Sequence, residues 1–384
     1  MTNTTIPGEI RSGRSRHQAP PSRGSMGRLA LATALLAGGC DLAEGDGLEP
    51  EVEEYSFRGA SSWVQSFRDM ATAAMSSYDS DGHGGQPRDS IEINGVEHTR
   101  ATSLTNNEDG VRVSVFEYQT CQTASIVVSF RGTQVPNFCD LADDAAGATT
   151  PMDNPTNPWD PSIVTSGEVG QGFYNRVERY MKSPKGQALK DYVDKLQTNG
   201  QKVNFHVVGH SLGGVSSALF SQFLAQYTKK TWDSAQKDKL KHYNFAFNSP
   251  LGMDDSFRNN SAQGFYGLAN QKWFTPFGFN VDGDLVSSFN YGHLWSQTYD
   301  DSTTVTADNG QQYRPFAHLA LPGSSLLTKH KLDVNIGQWA HLVEERSDDM
   351  GAAYEPFAVG PTRPSPSTPD CGCDLYIEGT CKLP

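Results

Sequence analysis

The stretch Gly209-His210-Ser211-Leu212-Gly213-Gly214 directly follows the apolar run Val203–Val208. Gly-x-Ser-x-Gly between a buried strand and a helix is the sequence form of a nucleophile elbow, a tight turn that lifts a serine above the end of a sheet. The turn brings its flanking positions so close together that they cannot carry side chains, which accounts for Gly209 and Gly213. Apolar residues at helical spacing from Val215 onward predict the helix that the elbow requires.

A second informative stretch, Ile126-Val-Val-Ser-Phe-Arg-Gly-Thr133, lies upstream of the elbow. It predicts a buried strand that ends in a turn whose last residue carries a hydroxyl group. A serine that attacks an acyl group needs an oxyanion hole, and with a nucleophile elbow one donor comes from the loop after an earlier strand. Thr133 offers its backbone N–H and its hydroxyl, and the elbow adds the backbone N–H of Leu212.

Phe130-Arg-Gly-Thr133 followed by the elbow resembles the class 3 lipase family, the fungal-lipase-like branch of the α/β-hydrolases. Gly172-Phe173, between the two stretches, resembles a further element of that family, although the family's histidine two positions earlier is Gly170 here. The resemblance extends over residues 60–345. It implies an α/β-hydrolase fold, in which a central, mostly parallel sheet is flanked by helices and Ser211 stands at the nucleophile elbow.

The resemblance also implies a catalytic triad in the order Ser, Asp, His. Two aspartates, Asp282 and Asp284, follow the apolar stretch that begins near Lys272. The family's aspartate precedes two apolar residues, and Asp284-Leu285-Val286 has that register, so we expect Asp284 to be the acid. Asp282 precedes Gly283, which is typical of a turn.

Four histidines follow Asp284 in the chain. His330 precedes a predicted helix in a segment that resembles the family's late His-x-x-Asp-Asn-Tyr motif, so it is the expected base. His318 and His341 are the alternatives, whereas His293 resembles a non-catalytic element of the family. The histidines that we expect to be structural are His83, His98, His206 and His242, with His210 packing or hydrogen-bonding beside the serine.

These residues predict a serine carboxylester hydrolase of lipase type that acts on acylglycerols or related lipid esters. Such chemistry needs no cofactor, and the sequence contains no metal-ligand motif. Alternatives within the enzyme class are a phospholipase A1 and a short-chain or feruloyl-type esterase. The competing class is a non-catalytic envelope protein on a hydrolase scaffold.

The amino terminus predicts export. Leu29–Cys40 is an apolar run that ends in a cysteine, is too short to span a bilayer and resembles a bacterial lipoprotein signal. Cys40 is therefore the expected lipid anchor to the cell envelope, with secretion without an anchor as the alternative and the start at Met1 or Met26 left open. Residues 1–40 form the leader, 41–58 an acidic tether, 59–350 the catalytic domain, and 351–384 a Pro-rich linker with a cysteine-containing tail.

The chain has 31 basic and 44 acidic residues, for a formal net charge of −13. This charge disfavours binding to nucleic acids and electrostatic docking on anionic lipid. With Cys40 lipidated, the five remaining cysteines of an exported protein predict disulfides with one thiol left over, and Cys371 or Cys373 is expected to pair with Cys381. The other pairings and the oligomeric state are left open. The segment from Gln134 to Gly170, where the family keeps its lid, is polar and rich in proline. It predicts either a short lid or an open active site.

Overall fold

The protein was analysed as a computed structural model that describes residues 62–78, 88–107, 111–120, 122–133, 150–250, 252–259, 268–269, 271, 273–282, 284, 286, 304–307, 309–321 and 329–359. Residues 351–359 of the predicted linker and tail are described, whereas the predicted leader, the acidic tether and residues 360–384 lie outside the described residues. So do Cys40 and the other five cysteines. The predictions of a lipid anchor and of disulfides therefore remain predictions.

The described part of the chain alternates strands and helices in the order that an α/β fold requires. The helices are α1 (Ser62–Met75), α2 (Gln171–Lys182), α3 (Pro184–Asn199), α4 (Leu212–Thr231), α5 (Ser234–Lys237), α6 (Asp255–Asn259) and α7 (Leu332–Glu345), with a π-helix at Ser347–Gly351. The strands are β1 (Ser90–Ile93), β2 (Val96–Arg100), β3 (Val113–Gln119), β4 (Thr123–Phe130), β5 (Pro151–Asp153), β6 (Thr156–Asn157), β7 (Asp160–Val164), β8 (Glu168–Gly170), β9 (Lys202–His210), β10 (Leu240–Phe247), β11 (Phe274–Val281), β12 (Val305–Thr306), β13 (Gln312–Tyr313) and β14 (Phe316–Leu319).

One eight-stranded sheet organises the molecule, in the order β1-β2-β3-β4-β9-β10-β11-β14. The strands from β1 to β4 pair antiparallel. From β4 to β14 every pair is parallel, with β9 between β4 and β10. A mostly parallel sheet of this order, with a helix after each central strand, is the α/β-hydrolase fold. The fold predicted from the sequence is confirmed.

The central strands are buried along nearly their whole length because helices cover both of their faces. Every residue of β4 and of β11 is buried. On one face, Trp63 and Phe67 of α1 pack their rings against Phe245 and Phe279 of the sheet. On the other face, Phe220 of α4 contacts Phe130 at the end of β4, with ring centroids 5.2 Å apart.

Local sequence signals account for the helix boundaries near the elbow. Helix α3 begins at Pro184, and the side chain of Ser183 caps it by accepting a hydrogen bond from the Gly186 N–H, 3.1 Å away. It ends before Gly200, which adopts a left-handed conformation with φ of 68°. The chain can then turn directly into β9, the strand that leads to the elbow.

The segment in which the family keeps its lid is only partly described. Residues 134–149 lie outside the described part, and the remainder forms two short antiparallel pairs, β5 with β8 and β6 with β7. Trp159 anchors this region because its ring packs against Phe220 and its indole N–H donates to the Met181 carbonyl. Across the described ranges, no helix combines the length and apolar character that a bilayer span demands.

Three histidines predicted to be structural lie in the core at 1% exposure or less: His98, His206 and His242. Burial lowers the pKa of His98 to about 4 and that of His206 and His242 to about 3. Each therefore stays neutral when folded over a pH range in which the unfolded chain binds a proton. The unfolded state consequently gains protons relative to the native state below about pH 6.5.

We expect the free energy of unfolding to be highest above about pH 6.5 and to fall as the pH decreases from 6.5 toward 4. Each such histidine contributes up to about 1.4 kcal/mol per pH unit in that window. Urea unfolding between pH 8 and pH 5 measures this slope. His206→Phe keeps an aromatic ring against Tyr243. It should lower the slope of the unfolding free energy against pH by the contribution of up to one bound proton, about 1.4 kcal/mol per pH unit. An unchanged slope in that variant would contradict the prediction.

Candidate active site

The elbow predicted from the sequence is present at the carboxyl end of β9. Ser211 has φ of 59° and ψ of −133°, a backbone conformation that residues other than glycine rarely adopt. Its backbone N–H donates to the Phe247 carbonyl at the end of β10, 2.9 Å away, and its own carbonyl accepts from the Gly214 N–H. Hydrogen bonds to two neighbouring elements therefore hold the strained residue in place.

The two elbow glycines stand where a side chain has no room. A Cβ atom on Gly209 would overlap the carbonyl oxygen of Gly213. A Cβ atom on Gly213 would overlap the carbonyl oxygen of Phe130 and lie 2.8 Å from the backbone nitrogen of Gly132. The first turn of α4 thus packs directly against the backbone that follows β4, as the motif requires.

This contact places the turn that carries Thr133 beside Ser211. A Cβ atom on Gly132 would lie 3.0 Å from the Cβ of Ser211. The Thr133 hydroxyl oxygen is buried and has no hydrogen-bond partner among the described residues. Leu212 is the first residue of α4, where backbone N–H groups have no acceptor within the helix. Donors of the type that binds an oxyanion therefore lie on both elements that border the serine.

The structure brings Asp284 and His330 together from distant parts of the chain. Nδ1 of His330 lies 3.0 Å from Oδ2 and 3.1 Å from Oδ1 of Asp284. Asp284 has no solvent exposure, and its Oδ1 also accepts from the Val286 N–H at 3.0 Å. A buried carboxylate on Nδ1 fixes the ring so that Nε2 is available to exchange a proton.

The alternative residues form a separate pair at the edge of the sheet. Nδ1 of His318 lies 3.3 Å from Oδ1 of Asp282, and the Asp282 side chain is 58% exposed. His341 is exposed on α7 and lies 3.6 Å from Glu345. His293 lies outside the described residues. Among the described histidines after Asp284, His330 is the one whose ring meets a fully buried carboxylate.

His210 links the base to the other side of the site. Its Nε2 lies 2.8 Å from the His330 carbonyl oxygen, which can only accept, so Nε2 carries the proton. With the proton on Nε2, Nδ1 is the atom that accepts from the Tyr78 hydroxyl, 3.0 Å away. Burial raises the pKa of Tyr78, which keeps this donor protonated. The ring centroids of His210 and His330 are 4.8 Å apart, so His330 lies next to the elbow.

Asn248, at the end of β10, is hydrogen-bonded to the same carbonyl group. It directly follows the strand in a left-handed conformation with φ of 44°. Its Nδ2 donates to the His330 carbonyl oxygen at 3.2 Å, and its Oδ1 accepts from the Val281 N–H at 3.1 Å. The segment that carries His330 is therefore hydrogen-bonded to the residue after β10, which is in turn bonded to Val281 at the end of β11, three residues before Asp284.

Sequence reasoning missed Tyr78, Asn248 and Arg176. Tyr78 follows α1, Asn248 follows β10, and Arg176 lies within α2, where its Nη2 donates to the Arg131 carbonyl at 2.6 Å. Asn248 had a usable signal, since a polar residue directly after a buried strand marks the edge where sites form. The other two lie in ordinary helical patterns and become visible only once the chain is folded.

Ser211 Oγ makes no hydrogen bond to His330 among the described residues. Such bonds are often long before substrate binds, so we expect this one to shorten in a substrate complex. Within the described ranges, no group of three or more acidic, histidine or cysteine side chains has the arrangement of a metal site. The geometry offers a strained serine, a carboxylate-oriented histidine and unpartnered donors, which is the set that acyl transfer uses.

Residues 127–276 match the model of the class 3 lipase family. The match begins in β4, ends in β11 and contains Thr133 and Ser211, so the resemblance expected from the sequence is confirmed over this range. It supports a lipase-like hydrolase. Asp284 and His330 follow the matched range, and their assignment rests on the geometry described above.

Solved structures similar to this chain include further lipases. The lipase of Rhizopus microsporus var. chinensis is 18% identical, with a TM-score of 0.39 over 59% of this chain and 69% of that one. The Rhizomucor miehei triacylglyceride lipase is 20% identical, with a TM-score of 0.31 over 48% and 57%. M37 lipase is 14% identical, with a TM-score of 0.34 over 47% and 50%, so the match spans half of that chain. A comparison with curated proteins gives no match.

The elbow contact predicts that a single methyl group at residue 213 will destabilise the protein. Gly213→Ala forces backbone against backbone, so we expect it to lower the free energy of unfolding by more than about 2 kcal/mol. Gly337→Ala is the matched control, because nothing lies near its Cβ position in α7 and alanine favours a helix. Urea unfolding of both variants tests this. Equal stabilities would contradict the packing described here.

Proposed function

We propose that the protein is a serine carboxylester hydrolase of lipase type that hydrolyses acylglycerols or related lipid esters. The observation that carries this proposal is the pairing of His330 with the fully buried Asp284 next to a strained Ser211. The class 3 lipase match over residues 127–276 supports it independently. Export with a lipid anchor at Cys40 remains the localisation that we propose from the sequence.

In the proposed acylation step, Ser211 Oγ forms a bond to the ester carbonyl carbon while its proton moves to Nε2 of His330. The carbonyl oxygen becomes an oxyanion that accepts hydrogen bonds from Thr133 and from the Leu212 N–H. When the carbon–oxygen bond to the alcohol breaks, His330 returns the proton to the leaving oxygen. Asp284 stabilises the imidazolium that exists between these two transfers.

Deacylation repeats the same steps with water as the nucleophile. His330 accepts a proton from the water as its oxygen bonds to the acyl carbon, and the Ser211 oxygen then leaves and takes that proton back. The carboxylic acid departs, and the site returns to its starting state. All of the groups involved are protein side chains and backbone amides, so the proposed reaction requires no cofactor.

Loss of the nucleophile should abolish the activity. We expect Ser211→Ala to lower kcat by about 10⁴ or more, because removal of a triad serine leaves only binding and oxyanion stabilisation. His330→Ala should be nearly as damaging, and Asp284→Asn somewhat less. A fluorophosphonate probe should label the wild type at Ser211 and leave Ser211→Ala unlabelled.

The pair of His318 and Asp282 at the edge of the sheet provides matched controls for these variants. His318→Ala and Asp282→Asn remove the same side-chain types from a pair that lies on the neighbouring strand ends. Both variants should keep kcat within about 3-fold of the wild type, since the proposed chemistry does not use them. An inactive His318→Ala beside an active His330→Ala would contradict the assignment.

The Thr133 hydroxyl should lower the stability of the folded protein while raising kcat. Its oxygen is buried without a partner among the described residues, and burial of an unpaired hydroxyl costs about 1–3 kcal/mol. Thr133→Val should therefore raise the urea midpoint while lowering kcat about 10²-fold with little change in KM. A variant with unchanged kcat would show that only backbone amides bind the oxyanion.

The substrate class can be tested separately from the catalytic residues. Rates over p-nitrophenyl esters from acetyl to palmitoyl, emulsified triglyceride and phosphatidylcholine distinguish the candidate substrates. A lipase should prefer long acyl chains and emulsified triglyceride. A preference for phosphatidylcholine would indicate a phospholipase A1, and a preference for acetyl esters a short-chain esterase.

A further inference from the structure

The turn that carries Thr133 is hydrogen-bonded on both edges of one peptide unit. The carbonyl oxygen of Arg131 accepts from Nη2 of Arg176 at 2.6 Å. On the opposite edge of the same unit, the Gly132 N–H donates to the Tyr78 hydroxyl. Because a peptide unit is planar and rigid, bonds on its two edges fix its rotation about the chain.

Arg176 reaches this peptide from the buried face of α2. It shares that face with Phe173, Val177 and Tyr180, and its own exposure is only 8%. Arginine is rarely buried to this degree unless its guanidinium is paired. Its hydrogen bond to a backbone carbonyl outside its own helix couples the position of α2 to the turn after β4.

We propose that Arg176 is a positioning residue for the oxyanion hole. It holds the Arg131–Gly132 peptide so that the next backbone N–H and the hydroxyl, both belonging to Thr133, stay directed at the carbonyl oxygen of the ester that Ser211 attacks. This inference rests on the proposed function, because it assigns Arg176 a role in the same reaction. Arg176 itself does not touch the substrate.

The covalent geometry makes this position sensitive. The peptide that Arg176 holds is joined through a single residue, Gly132, to the peptide that supplies the Thr133 N–H. Glycine imposes little restriction on its own φ and ψ, so the chain at Gly132 does not fix the next peptide without outside contacts. Misplacement of a catalytic donor by about 1 Å can cost about 10²-fold in rate.

The position of Gly132 explains why outside contacts are needed. A Cβ atom there would overlap the Tyr78 hydroxyl and lie 2.6 Å from the His210 carbonyl oxygen. A stiffer residue therefore cannot replace the glycine, and the turn depends on contacts from neighbouring elements. Tyr78 supplies one of these contacts after α1, and Arg176 supplies the other from α2.

The test compares Arg176→Met, Arg176→Lys and Arg179→Met in the full chain. Methionine keeps much of the apolar length and removes every donor, whereas lysine keeps a charged donor. Arg179 is the matched control because it is an exposed arginine on the same helix. Titration of active sites with a p-nitrophenyl alkylphosphonate gives kcat per folded, competent molecule, so a loss of folded protein alone does not lower the value.

We expect Arg176→Met to lower kcat per titrated site about 10- to 100-fold, with KM within about 2-fold of the wild type. The kcat per titrated site of Arg176→Lys should lie between those of Arg176→Met and the wild type, about 3- to 10-fold below the wild type. The kcat of Arg179→Met should equal that of the wild type. An alkylboronic acid, which forms a tetrahedral adduct on the serine, should bind Arg176→Met more weakly by about the same factor as the loss in kcat.

A wild-type kcat per titrated site in Arg176→Met, with an unchanged inhibition constant for the boronic acid, would overturn the inference. If Arg176→Met does not fold, Arg176→Lys decides in the same way: a wild-type kcat and inhibition constant would overturn it. Failure of the proposed function looks different, because the wild type would then hydrolyse no ester or would keep its activity after Ser211→Ala.

Discussion

The close approach of helix α4 to the end of β4 is the constraint on which the candidate site depends. Gly213 lies against the backbone from Phe130 to Gly132, where any side chain would overlap. The same contact aligns the first turn of the helix with the turn that carries Thr133. One packing requirement thus fixes the position of Ser211, the proposed nucleophile, relative to the neighbouring hydrogen-bond donors.

Hydrogen bonds extend this arrangement across the carboxyl edge of the sheet. A chain of donors runs from Gly132 through Tyr78 and His210 to the carbonyl oxygen of His330. Asn248 joins that carbonyl to the end of β11. Every member is buried, where hydrogen bonds are strong and an unpaired group is costly. This series of hydrogen bonds therefore links the turn that carries Thr133 to the segment that carries His330, although its members are far apart in sequence.

The sequence predicted the fold, and it indicated those candidate site residues that have local signatures. The elbow needs glycines at fixed spacing, Thr133 ends an apolar strand, and Asp284 precedes an apolar pair, so each leaves a short pattern. Arg176 leaves none, because a polar residue in an amphipathic helix is normally solvent-facing and only tertiary contacts bury it. Tyr78 leaves none because its hydrogen bonds to Gly132 and His210 form only in the folded chain. The same reason hid the network around His210, whose neighbours come from four separate elements.

The two histidine–aspartate pairs show how burial separates two aspartates that lie only two residues apart in the sequence. The Asp282 N–H continues the ladder to Leu319, so its side chain stays at the exposed edge beside His318. The chain then turns, with the Asp284 N–H bonded to the Val281 carbonyl, and Asp284 points inward to His330. A carboxylate in the interior requires a charged or donating partner, whereas one in water does not. A spacing of two residues along the chain therefore separates an edge contact from a buried pair that can orient a base.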